Sequence, residues 1–291
     1  MRILAVGDIV GRPGRRAVAA LLPSLRRQLE LDLIVANAEN AAGGVGITAE
    51  IGQELLSHGI DLLTMGNHVW GKREAYDFLD AEPRIIRPAN YPNGAPGRGC
   101  TVVKSRSGVP VGLGNLGGRV FFVNDLDCPF RSALRMVEEL RESAKVILFD
   151  FHAEATSEKV AMGHYLDGLA SAVFGTHTHV QTSDATVLPG GTAYITDIGM
   201  TGPVDSVIGM KKEIVIERFL TQLPSKFEVA TGAATLSGAV FDIDESTGRA
   251  RSAQAISVAE ALAPPLQPSG PLPWRNSTHT VKRFFHLQET V

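Results

Sequence analysis

The chain has 291 residues, 44% of them hydrophobic and 20% charged, with a formal net charge of −3. That length and composition describe a globular protein with a substantial core, built as one large α/β domain or two small ones. The charge balance gives no electrostatic basis for binding duplex nucleic acid or an anionic membrane, yet it leaves room for a small phosphorylated ligand held through bound cations.

No apolar run approaches bilayer length, and Met1 to Gly7 enters a strand at once without an apolar signal core. Cys100 and Cys128 lie outside any CxxC arrangement, so both are expected to be reduced thiols of a cytoplasmic protein.

Ile3 to Val6 is a continuous apolar run, the pattern of a strand buried on both faces. It ends at Gly7-Asp8, and the glycines at 11 and 14 turn the chain into a helix expected over residues 15–29. The glycine-rich turn lacks the GxGxxG spacing, and Pro13 removes a backbone donor, so a dinucleotide-binding loop is disfavoured. A second strand over 31–36 runs into Asn37-Ala38-Glu39-Asn40. Thr48 is placed to cap a helix reaching His58, because its hydroxyl can accept from an unpaired N–H of the first turn. A third strand, 60–65, ends in Gly66-Asn67-His68, and a helix is expected over 73–79. This β-α-β-α-β-α order predicts parallel strands whose C-terminal ends share one edge, where α/β folds bind ligands.

Residues 81–99 form a proline- and glycine-rich connection whose Arg84, Arg87 and Arg98 are either solvated or reach over that edge. A hairpin is expected over 100–104 and 109–113, and a helix over 129–141 with Pro129 in its first turn. A strand over 146–151 delivers His152, and a helix over 157–166 leads to an apolar strand, 169–174. That strand runs into Gly175-Thr176-His177-Thr178-His179; if the segment stays extended, both imidazoles lie on one side. Thr201-Gly202 reads as a turn. Local antiparallel pairing of 228–233 with 236–243, and a further strand over 249–258, would give a second sheet beside the first.

Gathered at one edge, Asp8, Glu39, Asn40, Asn67, His68, His152, His177 and His179 form a mixed nitrogen and oxygen set without sulfur. Such a set suits iron, manganese or zinc and argues against structural zinc and iron–sulfur clusters. Taken singly, Asp8 is as well explained as a helix cap and Asn67 as a turn residue. It is five strand endings with metal-ligand residue types that favour a site.

The order Asp8, Glu39-Asn40, Gly66-Asn67-His68, His152 and Gly175-Thr176-His177-Thr178-His179 resembles the calcineurin-type metallophosphoesterase superfamily. Together with Thr196-Asp197-Ile198-Gly199-Met200-Thr201-Gly202-Pro203, these stretches resemble its YmdB-like branch, over residues 1 to about 260. The resemblance implies a four-layer α/β/β/α sandwich of two mixed sheets flanked by helices. It also implies two transition-metal ions, iron ahead of manganese or zinc, and a phosphodiesterase activity on cyclic nucleotides, 2′,3′-cyclic forms ahead of 3′,5′. By the same resemblance one ion takes Asp8, Glu39, Asn40 and His179; the other takes Glu39, Asn67, His152 and His177, with His68 donating a proton to the leaving oxygen. Val10 stands where the wider superfamily has histidine, and Glu39 where it has a bridging aspartate. A phosphomonoesterase and a metal-binding regulatory protein of the same fold are the alternatives. Residues 1–262 are expected to form a single domain, with 263–291 a proline-rich tail. Phe284, Phe285 and Leu287 of the tail suggest a contact between subunits of a homo-oligomer.

Overall fold

The computed structural model describes residues 1–122 and 125–260; the tail, with its expected subunit contact, lies outside the described residues. In chain order the elements are β1 (Arg2–Val6), β2 (Asp8–Ile9), α1 (Gly11–Gln28), β3 (Leu33–Asn37), α2 (Ala49–Ser57), β4 (Leu62–Thr64), α3 (Ala75–Ala81) and β5 (Ile85–Ile86). The hairpin β6 (Cys100–Lys104) and β7 (Pro110–Gly117) follows, then α4 (Pro129–Arg141), β8 (Val146–His152), α5 (Thr156–Tyr165) and β9 (Ala172–Thr176). The described chain closes with β10 (Thr186–Val187), β11 (Ala193–Ile195), β12 (Met200–Pro203), α6 (Lys212–Thr221), β13 (Ala234–Ile243) and β14 (Ala250–Ala259).

Two sheets form, ordered β2-β12-β13-β1-β3-β4-β5, with β14 on the far side of β13, and β10-β11-β9-β8-β7-β6. The parallel set β1, β3 and β4 is as the sequence predicts; β5 joins it in parallel from within the stretch read as an irregular connection. In the second sheet β7, β8, β9 and β11 are parallel.

Side-chain alternation along the strands separates three apolar layers. Leu4 and Val6 of β1 face one way and pack with Val18, Leu22 and Leu25 of α1 and Leu55 of α2. Ile3 and Ala5 face the other way and meet Val111, Leu148 and Phe174 of the second sheet. Ile147 and Phe149 of β8 point outward to Met136, Val137 and Leu140 of α4. Helix, sheet, sheet, helix is the resulting order: a four-layer α/β/β/α sandwich. Phe174 and Phe241, one from each sheet, stack at 6.0 Å between ring centroids and fasten the central layer.

Four expectations change. Helix α1 begins at Gly11, not residue 15, because Pro13 falls in the first turn, where backbone N–H groups lack helical partners anyway. A Cβ on Gly14 would lie 2.4 Å from the Thr201 carbonyl, so this glycine serves helix–sheet packing. The pairing of 228–233 with 236–243 does not occur: β13 lies antiparallel to β1 on one side and β14 on the other, within the first sheet. The reason is visible in β1, whose residues 3–6 are wholly buried and need a strand on each flank. Thr201-Gly202 is not a turn but part of β12, parallel to β2. Finally, α6 has no counterpart in the sequence reading; only Val215 of it is buried and Phe219 and Leu220 face solvent, so it has no apolar stripe facing a core. Elsewhere the Thr48 hydroxyl accepts from Ile51 N as expected, and α4 runs from Pro129 to Arg141. Among the described residues no helix is long and apolar enough to cross a membrane.

Both cysteines are free thiols with opposite environments. Burial, helped by Glu139, pushes Cys100 up to about 12, whereas the Arg131 and Phe130 backbone N–H groups at the start of α4 lower Cys128 despite some burial. Iodoacetamide near neutral pH should therefore label Cys128 well before Cys100 in the native protein. Peptide mass spectrometry after partial labelling checks this, and equal labelling of both would contradict it.

Candidate metal centre

The site lies where the central apolar layer runs out at the C-terminal ends of the strands. Leu33 and Val35 of β3, Leu62 of β4, Val146 and Leu148 of β8, and Ala172 and Phe174 of β9 all belong to that layer. Continuing each alternation by one step gives Asn37, Thr64, Asp150 then His152, and Thr176. Asp150 accepts hydrogen bonds from Thr64 Oγ1, from Thr176 Oγ1 at 2.7 Å and from Asn37 Nδ2 at 3.2 Å. Burial pushes its carboxyl up to about 6 against the pull of His152 and the two threonines. Because the Thr176 proton goes to Asp150, its oxygen is free to accept from His152 Nδ1, 2.8 Å away. That relay directs His152 Nε2 outward as the working nitrogen.

Three further groups converge on His152 Nε2: Glu39 Oε1 at 3.1 Å, Asn67 Oδ1 at 3.0 Å and His177 Nδ1 at 3.1 Å. Burial alone would lower the His152 pKa, but Glu39 above all, then Asp8 and Asp150, push it up to about 9. Burial alone would raise Glu39; His152 and His68 hold it well below the usual carboxylate range. His177 goes the other way, lowered to about 3 by burial and then by His152. Its Nε2 lies 3.0 Å from Glu154 Oε2, so the proton sits there and Nδ1 turns its lone pair inward.

The second group of donors is Asp8, Asn40 and His179. Asp8 is fully buried; its Oδ2 accepts from His177 N at 3.1 Å, and its Oδ1 has no hydrogen-bond partner among the described residues. That orphaned oxygen lies 3.9 Å from both His152 Nδ1 and His179 Nε2. Burial raises the Asp8 pKa against the two histidines. His179 donates from Nδ1 to the Ile208 carbonyl at 2.9 Å, leaving Nε2 facing Asn40 Nδ2 at 3.0 Å. Asn40 Oδ1 is turned to His68 Nδ1 at 2.7 Å; a half-turn of the amide would exchange its oxygen and nitrogen. His68 also reaches Glu39 Oε1 at 3.3 Å, an interaction that raises its pKa against partial burial, and its side chain is 39% exposed.

All eight residues singled out from the sequence thus gather at one crevice. The extended path expected for 175–179 is not observed: His177 has φ 97° and His179 φ 65°, so the chain coils away from β9 and sends the two imidazoles to different partners. Arg84, Arg87 and Arg98 do not reach the site. Arg84 pairs with Glu82, Arg98 binds the Asp80 carbonyl, and Arg87 is buried on the carbonyls of Pro88, Ala95, Pro96 and Gly97. Sequence reasoning missed Asp150, Thr176, Thr64, Asn37 and Glu154. Strand parity was the available signal for the first four; each follows a core residue by two positions.

These donors fit cations. Imidazole nitrogens with assigned lone pairs, two buried carboxylates, one orphaned carboxylate oxygen and amide oxygens form an N/O set without sulfur, and Glu39, His152 and His177 offer donor atoms all within 4.8 Å of one another. A cavity of about 380 Å³ lined by Arg141, Lys145 and Arg249 lies instead beside the N-terminal end of β8, away from this chemistry.

A family model described as YmdB-like protein matches residues 4–256. The chain belongs to the YmdB-like family. A 2′,3′-cyclic-nucleotide 2′-phosphodiesterase of Bacillus subtilis is 52% identical over 250 residues, covering 86% of this chain and 94% of the relative. A protein of Thermus thermophilus, described only as hypothetical, has a crystal structure with TM-score 0.84 at 44% identity, covering 89% of this chain and all of the other. A structure described as a novel phosphatase, from Mycoplasma pneumoniae, gives TM-score 0.83 at 32% identity, covering 89% and 93%. A calcineurin-like phosphoesterase of Bacillus subtilis shares the fold, with TM-score 0.55 at 14% identity and coverage of 89% and 90%.

Gly66 tests how closely the YmdB-like site is packed. A Cβ there would lie 2.3 Å from His152 Nε2 and 2.4 Å from Glu39 Oε2. Gly66→Ala should displace both side chains, lower stability by about 1–3 kcal/mol and weaken metal uptake. Thermal unfolding and elemental analysis check this; a variant matching the parent in both would show that the crevice has room.

Proposed function

We propose that this chain is a metal-dependent phosphodiesterase that opens cyclic nucleotides, 2′,3′-cyclic forms ahead of 3′,5′. The observation that carries the reading is the crevice in which three histidines, each with one nitrogen committed to a protein acceptor, turn the other toward buried carboxylates. The name of the Bacillus subtilis relative supports the substrate class.

By this reading Asp8, Glu39, Asn40 and His179 hold one ion, and Glu39, Asn67, His152 and His177 hold the other, iron ahead of manganese or zinc. Bound cations would neutralise charge on the phosphoryl oxygens and make water a better nucleophile at neutral pH. The protein's own share is positional and protolytic. Thr176 and Asp150 orient His152, Glu154 orients His177, and the Ile208 carbonyl orients His179. His68 anchors Nδ1 on Asn40 and Glu39, which leaves Nε2 to carry a proton toward the crevice mouth. As a water oxygen bonds to phosphorus and the bond to the ribose oxygen breaks, that proton passes from His68 to the departing oxygen.

Glu39 contacts both groups of donors, with Oε1 against His152 and near Asn40 and Oε2 accepting from His68 N. Glu39→Ala should lose both ions, whereas Asn67→Ala should weaken mainly the one held with His152. Equal metal content in Glu39→Ala and parent would remove the bridging role.

His68→Ala should keep both ions and slow kcat about 10²- to 10⁴-fold, the usual worth of general acid catalysis. The defect should shrink for a p-nitrophenyl ester, whose leaving group departs unprotonated. Loss of a metal, or an equal defect for good and poor leaving groups, would give His68 a different role. Turnover of 2′,3′-cyclic, 3′,5′-cyclic and monoester nucleotides tests the substrate class. Hydrolysis confined to monoesters would make the protein a phosphatase, the description carried by the Mycoplasma pneumoniae structure.

A further inference from the structure

His177 and His179 both occupy the left-handed region, which costs non-glycine residues about 1–3 kcal/mol each unless the surroundings enforce it. What enforces it is a buried carboxylate that touches none of the candidate ligand side chains. Asp197 is 1% exposed; its Oδ2 accepts from Thr178 N at 3.2 Å, Thr178 Oγ1 at 2.8 Å and Lys159 Nζ at 2.7 Å, and its Oδ1 accepts from Gly199 N at 2.8 Å. Lys159, equally buried, also donates to the Thr176 carbonyl at 2.7 Å, where β9 ends.

The same segment reaches Asp8. Gly199 O accepts from Asp8 N at 3.1 Å, and Asp8 Oδ2 accepts from His177 N at 3.1 Å, so the contacts form a closed circuit. Backbone 196–199 is wedged between the two ligand-bearing strand ends. A Cβ on Gly7 would lie 2.0 Å from Gly199 O, and one on Gly175 would lie 1.8 Å from Thr196 O. Glycine is required at both places for the backbones to approach.

We infer that Asp197, with Lys159 as its buried counterion, is a positioning residue that fixes His177, His179 and Asp8 relative to one another for metal binding. The inference rests on the reading of those three residues as ligands. Stability alone accounts poorly for the pair, since buried ion pairs are often replaceable by apolar residues without loss. Here Asp197 receives its donors from the loop carrying His177 and His179, from the segment under Asp8 and from α5. Groups that orient ligands in this way are typically worth about 10- to 100-fold in metal affinity.

The test strips the full-length protein with a chelator and titrates it with Mn²⁺ alone, alongside thermal unfolding of the metal-free form. Asp197→Asn should lose about 10- to 100-fold in Mn²⁺ affinity, a readout that a purely structural role would leave unmoved. With cyclic nucleotide, the loss should fall on kcat while KM stays close to the parent's. Unchanged Mn²⁺ affinity in Asp197→Asn, whatever its melting temperature, overturns the inference. If that variant does not fold, Thr178→Val decides. It removes one hydroxyl from Asp197 and should cost about fivefold in Mn²⁺ affinity, roughly the worth of one hydrogen bond, while the metal-free melting temperature falls by a few degrees at most. Parental affinity in Thr178→Val would then overturn the inference. A parent that takes up no Mn²⁺ overturns the metal reading and this inference together. A parent that binds Mn²⁺ but hydrolyses no nucleotide removes only the substrate reading, and the titrations still decide the role of Asp197.

Discussion

Two carboxylates, Asp8 and Glu39, are buried to 0 and 1% exposure, and among the described residues neither has a lysine or arginine against it. An isolated ionised carboxylate in such a place is costly, so positive charge must be supplied from somewhere. The residues within reach are histidines, whose charge is conditional. His152 accepts that demand and is pushed up to about 9, while its neighbour His177 is driven down to about 3. One crevice therefore contains both extremes of imidazole behaviour. Thr176, Glu154 and the Ile208 carbonyl each hold one imidazole proton, so His177 and His179 turn a lone pair inward, and His152 Nε2 does so once its second proton is displaced.

The crevice exists because two sheets share a core and both end at the same level. Between them the alternation that supplies Ile, Val, Leu and Phe continues without interruption into Asn37, Thr64, Asp150, His152 and Thr176. The polar floor of the site is the top row of the hydrophobic core, placed by the same backbone geometry. Outer helices contribute little to the chemistry directly; α5 is the exception, sending Lys159 through to the end of β9.

Much of this was legible from residues alone. Strand endings with Asp, Glu, Asn and His are local signals, and the β-α-β order places them on one edge. The parallel strands, the Thr48 cap and the bounds of α4 follow from local chemistry as well. What was not legible depends on contacts between distant segments. Nothing near residue 234 announces that β13 will lie beside β1, and Thr201-Gly202 resembles a turn until β2 is set against it. The turn of His177 and His179 out of the extended region depends on Asp197, some twenty residues on. Arg87 illustrates the converse: a charge that invites a functional reading is buried as the tie of its own loop.

The pairing of β1 with β13, in which Arg2 stands opposite Asp242 and Val6 opposite Gly238, bears on how the molecule is made. During synthesis β1 lacks one flanking partner until β13, separated from it by most of the described chain, has left the ribosome. Such long-range closure slows folding, and an open strand edge, apolar from Ile3 to Val6, is a template for association with other chains. Asp8 follows directly on that strand, so the half of the crevice it belongs to cannot be completed on a nascent chain that stops short of β13. Completion of the crevice is thereby tied to completion of the sandwich, and a chain ending before β13 would leave that edge of β1 open.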